Sequence, residues 1–432
     1  MRIEDPRPRT IRVGYRIQLE RCQSWDESCH IFDEESAFAV EMALATGRPL
    51  LIRGEPGSGK SQLARAAAQE LNRCLLAETI TAASEGRDLL WQYDPVARLS
   101  EAQAGAAESA IRRQRRLLAR ENEEMLSAAA ENDTGPQNGV TRKKKVPRYK
   151  KKKPTHRKDR RFSSFARTAT AEPLSRINFP ERKEHILRPA QYVSPGLLWW
   201  AFDSISAYRQ YTTCRYPFYT PGFLYEDTDE HDAAERGFVV LIDEIDKADS
   251  SLPNALLEVL GNGGFYVPMV DESVGTALAR KKPLVIITTN EERELPPAFV
   301  RRCLVLHLRF DDEEYLRSWW QQQADRSPQL YPLDAFAREA ALIRWLAERG
   351  EIHFQGIFTE RVRERAALLL VRDRRAAQRI GAVRPGQAEF LDLLRALRDM
   401  PGPDSSGEAL ELYQLALLKK ISRYALVKSA AE

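Results

Sequence analysis

The chain predicts an α/β fold, a parallel sheet with helices on both faces, followed by a smaller all-helical domain. Three observations carry this expectation. Segments 237–242 (GFVVLI) and 284–289 (LVIITT) are apolar without interruption, and 303–308 (CLVLHL) is a shorter run of the same kind. Continuous rather than alternating hydrophobicity belongs to strands covered on both faces. From Asp311 onward the pattern is helical to the end, as in Trp319-Trp320, Leu342-Ile343-Trp345-Leu346 and 366–371.

Taken in order, residues 1–29 read as a polar, mixed leader. A helix is expected from about Glu34 to Thr46, with Phe38, Ala39, Met42 and Ala43 on one face, leading into a strand at 49–53. The chain then runs Gly54-Glu55-Pro56-Gly57-Ser58-Gly59-Lys60-Ser61 and enters the helical pattern Gln62-Leu63-Ala64-Arg65-Ala66-Ala67-Ala68. Strand, Gly-x-x-x-x-Gly-Lys-Ser loop and helix in that order are what a phosphate-binding P-loop needs. Gly54, Gly57 and Gly59 free the backbone so that successive N–H groups can face one anion. The helix beginning at Lys60 adds its positive end. Lys60 would reach the β- and γ-phosphates and the Ser61 hydroxyl would sit on Mg2+. A chance glycine-rich turn shares the glycines, but not strand, helix, Lys and Ser together. Residues 54–62 are therefore expected to bind a nucleoside triphosphate.

A second strand is expected at 74–80. A helical stretch follows from near Asp88 (Leu89-Leu90-Trp91-Gln92-Tyr93) into the Ala/Glu/Arg-rich 96–130. Between Glu131 and about Arg182 apolar periodicity is lost, which points to a disordered or loosely held insertion without a core of its own. Order resumes at Tyr192-Val193-Ser194-Pro195-Gly196-Leu197-Leu198-Trp199-Trp200, and an acidic stretch (Glu226, Asp227, Asp229, Glu230, Asp232) precedes the next strand. The expected organisation is a leader over 1–29, an α/β nucleotide domain over 30–310 interrupted by an insertion at about 96–190, and a helical domain over 311–432.

Net charge is +4, from 66 basic and 62 acidic residues, but it is unevenly placed. Segment 141–161 holds thirteen Lys/Arg against one Asp, a local +12, so the rest of the chain carries 4 − 12 = −8. That strip is read as a solvated linker, a contact for an acidic protein or for the chain's own acidic loop, or a nucleic-acid contact. Its one aromatic, Tyr149, gives base stacking little support. No apolar run approaches the roughly 18 residues of a membrane helix. The first residues lack the apolar core of a signal peptide, and a cytoplasmic protein is expected. Five cysteines (22, 29, 74, 214, 303) without CxxC spacing read as reduced structural thiols.

Strand 237–242 ends in Asp243-Glu244, two carboxylates at the carboxyl edge of a sheet, where ligands of open α/β sheets bind. Asp243 is placed to hold Mg2+ through water, and Glu244 to act as general base on the attacking water. Behind a P-loop, a merely acidic turn is the weaker reading. Strand 284–289 ends in Asn290, whose amide can bond both the γ-phosphate and the nucleophilic water without adding charge. Arg301-Arg302, by themselves, read as a solvated surface pair.

The resemblance then becomes specific. GEPGSGKS, LIDEIDKAD, TTNEERELPPAFVRRC and Arg384-Pro385-Gly386-Gln387-Ala388-Glu389-Phe390-Leu391 occur in the order of AAA+ ATPases. The phrasing resembles the MoxR-type branch over roughly 31–95, 192–205 and 237–400. By that resemblance Lys60 and Ser61 match Walker A, Asp243 and Glu244 Walker B, and Asn290 sensor 1. Arg302 matches the arginine finger with Arg301 as understudy, and Arg384 the sensor 2 arginine. Residues 87–94 and 194–200 resemble the start and return of the helix-2 insertion, here unusually long. The resemblance implies ATP and ADP as ligands, Mg2+, a hexameric ring with the finger supplied in trans, and a helical lid. It also implies a partner protein, such as one carrying a von Willebrand factor A domain, remodelled at the cost of ATP. The alternatives are a nucleic-acid-directed motor using 142–161, and a nucleotide-gated switch or scaffold in a multi-component bacterial system, including a defence system.

Other residues weigh less. His30 is read as approaching the adenine or as a plain surface histidine. His307, in an apolar strand, is read as structural, and Trp199-Trp200 and Trp319-Trp320 as packing.

Overall fold

A computed structural model describes residues 10–22, 25–131, 188–225, 230–275, 281–400 and 407–425. The chain divides into two compact units, Met1–Asp94 with Pro189–Glu432, and Pro95–Arg188.

The first unit opens with a short antiparallel pair, β1 (Ile17–Leu19) and β2 (Ser28–His30). Helix α1 (Glu34–Thr46) follows. Asp33 accepts from the Ser36 N–H at 2.8 Å while Ser36 Oγ accepts from Asp33 N–H at 3.2 Å, so two otherwise unpaired donors are satisfied. Gly47 at φ 67° ends the helix in a conformation that costs glycine little. Next come β3 (Leu50–Gly54), α2 (Lys60–Glu70), β4 (Cys74–Thr79) and β5 (Trp91–Tyr93). The second unit contributes one described element, the 37-residue helix α3 (Pro95–Glu131). The expected disorder of 131–182 and the basic strip 141–161 lie outside the described residues, apart from Glu131.

The first unit resumes with β6 (Val193–Pro195), α4 (Leu197–Phe202), α5 (Ser204–Thr213), α6 (Glu230–Arg236), β7 (Phe238–Asp243) and α7 (Ser251–Asn262). A hairpin of β8 (Gly264–Val267) and β9 (Glu272–Gly275) precedes β10 (Leu284–Thr289), α8 (Pro297–Arg302) and β11 (Leu304–Leu308). Among the described residues five helices follow: α9 (Glu313–Arg326), α10 (Arg338–His353), α11 (Glu360–Arg379), α12 (Gln387–Asp399) and α13 (Glu408–Ala425).

Five strands form one parallel sheet in the order β11-β3-β10-β7-β4. Every residue of β10 is buried, and so are the first five of β7, which explains their unbroken hydrophobicity. Successive residues point to opposite faces. Leu50 and Ile52 join Val40, Leu63 and Ala67 on one face, while Leu51 joins Trp199, Trp200 and Phe299 on the other. A separate core of Trp345, Leu370, Phe390 and Leu394 holds the C-terminal helices together.

Four expectations change. The leader is not separate from residue 10 onward, because Ile11, Ile17 and Leu19 are buried in the core beneath α1 and α2. Arg65 of α2 fastens it by donating to Glu20 O at 2.7 Å. Residues 91–93 are a strand rather than helix, since the return segment offers a partner: Trp91 pairs with Pro195 and Tyr93 with Val193. On α1 the buried positions are Ser36, Ala37, Val40 and Ala43, whereas Phe38 and Met42 face solvent. His307, read as structural in an apolar strand, is exposed, because β11 is the sheet's edge. Trp199 and Trp200 are fully buried, and Trp320 packs on Tyr331 and Phe336. None of the five cysteines is in a disulfide. Among the described residues, no helix is long and apolar enough to cross a membrane.

Candidate functional site

The loop 54–59 leaves the carboxyl end of β3 and turns into α2 through Gly59, whose φ of 92° lets it cap the helix in the left-handed region. Gly57 also has positive φ, and a Cβ there would lie 2.9 Å from Ala388 Cβ, so the loop tip is pressed on the start of α12. Lys60 is 7% exposed and donates from Nζ to Gly54 O at 2.8 Å and Glu55 O at 2.9 Å. Burial lowers its pKa, and the charges of Asp243, Asp246 and Glu244 oppose that shift. Ser58 Oγ is buried without a hydrogen-bond partner, as suits a group that meets a phosphate oxygen.

The acidic half of the site stands on β7 and β10. Ser61 Oγ donates to Asp243, 2.9 Å from Oδ1 and 3.0 Å from Oδ2. A hydroxyl and a carboxylate side by side are hard oxygen donors, so the pair fits Mg2+. Thr288 Oγ1 donates to Asp243 Oδ1 at 2.5 Å and accepts from Glu244 N–H at 2.9 Å. That bond helps hold Glu244 in the left-handed region, φ 60°, a strained conformation of the kind that gathers at functional sites. Asn290 Nδ2 donates to Glu244 Oε1 at 3.2 Å, and Lys247 pairs with Oε2. A carboxylate so positioned can take a proton from water.

Two contributors to this cluster escaped the sequence reading. Asp246, 2% exposed, accepts from the backbone N–H groups of Asn290 at 3.2 Å and Glu292 at 2.9 Å, fixing the turn that presents the Asn290 amide. It was visible as the third acid of DEID. Thr288 had no signal beyond its place in LVIITT, because its role depends on parallel pairing of β10 with β7.

His30 lies in a cleft beside Ser58 and Gly59, bounded also by Trp345, Arg349 and His353 of α10. Burial, then Arg349, pushes its pKa down to about 3, and its Nε2 is buried without a partner. His30 as a whole is half-buried, with its Nε2 turned inward from the surface. Gln62 lines the same cleft. Arg384 reaches the loop by pairing with Glu55, and so does Arg374, which sequence reasoning passed over inside a helical Arg-rich run. Arg301 and Arg302 are not brought to the loop. They are exposed at the end of α8, ahead of β11, on the opposite edge of the sheet. Among the described residues, no cluster of three or more His, Cys, Asp or Glu is arranged to hold a metal ion.

A family model for the AAA domain (dynein-related subfamily) matches residues 49–130 and 219–303. No curated protein matches the chain. Solved structures that it resembles include a mutant of Thermotoga maritima RuvB, at 13% identity and TM-score 0.28, covering 84% of this chain and 69% of that one. A protein from Cytophaga hutchinsonii described as a candidate ATPase is 12% identical at TM-score 0.28, covering 90% of this chain and 78% of that one. Likeness at this level bears on neither substrate nor partner. The family model spans the loop, the Asp243-Glu244 strand and the Asn290 strand, which lie together at one edge of a parallel sheet followed by a helical lid; over these two stretches the chain matches an AAA domain, and that match supports ATP hydrolysis as its activity.

Proposed function

We propose that the chain binds ATP with Mg2+ at residues 54–62 and hydrolyses it in a ring of copies, using turnover to remodel or activate a partner protein, as MoxR-type proteins do. The observation that carries the site is the hydrogen-bonded chain Ser61–Asp243–Thr288–Glu244–Asn290 beside the phosphate loop. In this reading Lys60 leaves its two carbonyls for the phosphates, with the N–H groups of Gly57, Gly59 and Lys60. Mg2+, once held by Ser61 and Asp243, supplies positive charge to the phosphate oxygens. Glu244 accepts the proton of the attacking water, and Asn290 orients that water without adding charge. Arg302 of a neighbouring copy, or Arg301, meets the charge that develops on the transferred phosphoryl group.

The ring is supported by the exposure of both arginines at the far edge of the sheet. A hexamer, a von Willebrand factor A partner and chaperone-like remodelling come from the resemblance alone. The nucleic-acid alternative rests on 141–161, outside the described residues.

Two substitutions test the site. Lys60→Ala removes the ground-state phosphate contact and should abolish measurable nucleotide binding by calorimetric titration. Glu244→Gln should retain binding and lower hydrolysis by about 10²- to 10⁴-fold, the range of a general base. ATP affinity of Lys60→Ala equal to wild type, or undiminished turnover by Glu244→Gln, would defeat the assignment.

A further inference from the structure

The lid meets the phosphate loop through an ion cluster that the reading above leaves without a task. Glu55 sits between Gly54 and Pro56, and its two carboxylate oxygens are divided between two arginines. Oε2 accepts from Arg374 Nη2 at 2.9 Å, and Oε1 accepts from Arg384. The two arginines are held very differently. The Arg374 side chain is 5% exposed, donates also to Asp311 at 2.5 Å and to Pro385 O at 2.6 Å, and lies 4.6 Å from the Phe310 ring centroid. The Arg384 side chain is 36% exposed, and its other charged neighbour, Asp311, is 3.7 Å away. Backbones touch here as well: Ala388 N–H donates to Gly57 O at 3.2 Å, and a Cβ on Gly386 would lie 2.9 Å from Pro56 O.

A carboxylate and a terminal phosphate offer a guanidinium the same kind of charge-assisted acceptor. Glu55 stands in the loop expected to cradle the phosphates, so carboxylate and γ-phosphate compete for one guanidinium. Arg374 is too deeply fastened to be the one that moves. We propose that Glu55 restrains the preference for ATP over ADP: it holds Arg384, so part of the attraction that a third phosphate adds is offset by the pairing that must be broken to draw that arginine away. Arg374 is a positioning residue that keeps Glu55 paired throughout. The cluster holds two carboxylates, Glu55 and Asp311, against Arg374 and Arg384, with Arg338 also 4.0 Å from Asp311. When Arg384 turns to the phosphate, Glu55 retains Arg374, so no half-buried carboxylate is left without a cation.

The inference rests on the nucleotide site proposed at 54–62, and the experiment separates the two. Dissociation constants are measured by isothermal titration for ADP and a non-hydrolysable ATP analogue, on the full chain. Glu55→Gln, nearly isosteric, should bind the triphosphate on the order of tenfold more tightly while ADP affinity stays close to wild type, the scale of one charge-assisted bond. Arg384→Gln should lose triphosphate affinity by a similar factor, again with ADP little changed. The double variant should match Arg384→Gln, because without the arginine there is nothing for Glu55 to withhold. An ATP-to-ADP preference in Glu55→Gln equal to wild type overturns the proposal. So does an equal loss of both nucleotides in Arg384→Gln, which also covers the case in which Glu55→Gln fails to fold. Undiminished binding by Lys60→Ala would instead remove the nucleotide site itself.

Discussion

At the carboxyl edge of the parallel sheet stand Glu55, Glu78, Asp243, Glu244 and Asp246; at the amino edge stand Arg48, Arg73, Arg301 and Arg302. The acidic edge is internally connected, with Asp243, Glu244 and Asp246 each bonded to a neighbour of the same site. The arginine edge serves its own backbone: Arg48 donates to the carbonyls of Arg301, Arg302 and Cys303, and Arg302 reaches Leu257 O at 3.4 Å. Leu50 pairs with Leu304 and Gly54 with Leu308, so the two edges are four strand steps apart, about 13 Å. Arg302 is too far away to serve its own phosphate loop. At the carboxyl edge the acids are answered by cations of the same chain, Lys60, Lys247, Arg374 and Arg384, whereas Arg301 and Arg302 at the other edge have no carboxylate partner among the described residues.

The largest expected effect breaks that comparison at the arginine edge. Arg302→Ala should lower ATP hydrolysis about 10³-fold or more while leaving nucleotide affinity unchanged. Mixed with Lys60→Ala, it should regain part of the activity, because some interfaces then pair an intact loop with an intact arginine. A total absence of activity at every mixing ratio, with mixed assemblies demonstrated, would rule out a residue acting in trans.

A smaller effect is expected within the acidic edge. Asp246→Asn weakens the acceptors of two backbone N–H groups and so loosens the turn that presents Asn290. The maximal rate should fall about tenfold with KM nearly constant, and stability by about 1–3 kcal/mol. A change in KM alone would mean that Asp246 acts on binding rather than on Asn290.

The smallest effect concerns pH. Burial, then the charge of Asp88, raises the Glu78 pKa from 4.5 to about 7. The folded state therefore holds this proton more tightly than the unfolded chain, and the associated stability is present below pH 4.5 and lost as pH rises through 7. Glu78→Gln should be about 2 kcal/mol more stable than wild type at pH 8 and equal to it at pH 4. Parallel denaturation curves at both pH values would show that Glu78 ionises without cost to the acidic edge.

The strands at 237–242 and 284–289 were legible because burial on both faces leaves a chain no option but unbroken apolar side chains. Loop 54–61 was legible for a different reason, since three glycines, a lysine and a serine stand at the fixed spacing of an anion-binding pattern. Trp91 was misread, because its conformation is set by a partner at Pro195, about a hundred residues away. The face of α1 was misjudged as well. Ser36 is buried as a cap while Phe38 is exposed, and hydrophobicity alone does not distinguish those cases.

The sequence by itself determined the fold class, the phosphate loop and the carboxylates that follow β7, because each depends on local spacing and on burial that repeats along the chain. Only the tertiary structure decided that Thr288 joins Asp243 to Glu244, that Asp246 holds the turn at Asn290, and that Arg374 grips Glu55 across 319 positions. Those contacts depend on parallel strand pairing and on a lid docked against the loop. No short window of residues contains both partners of such a bond.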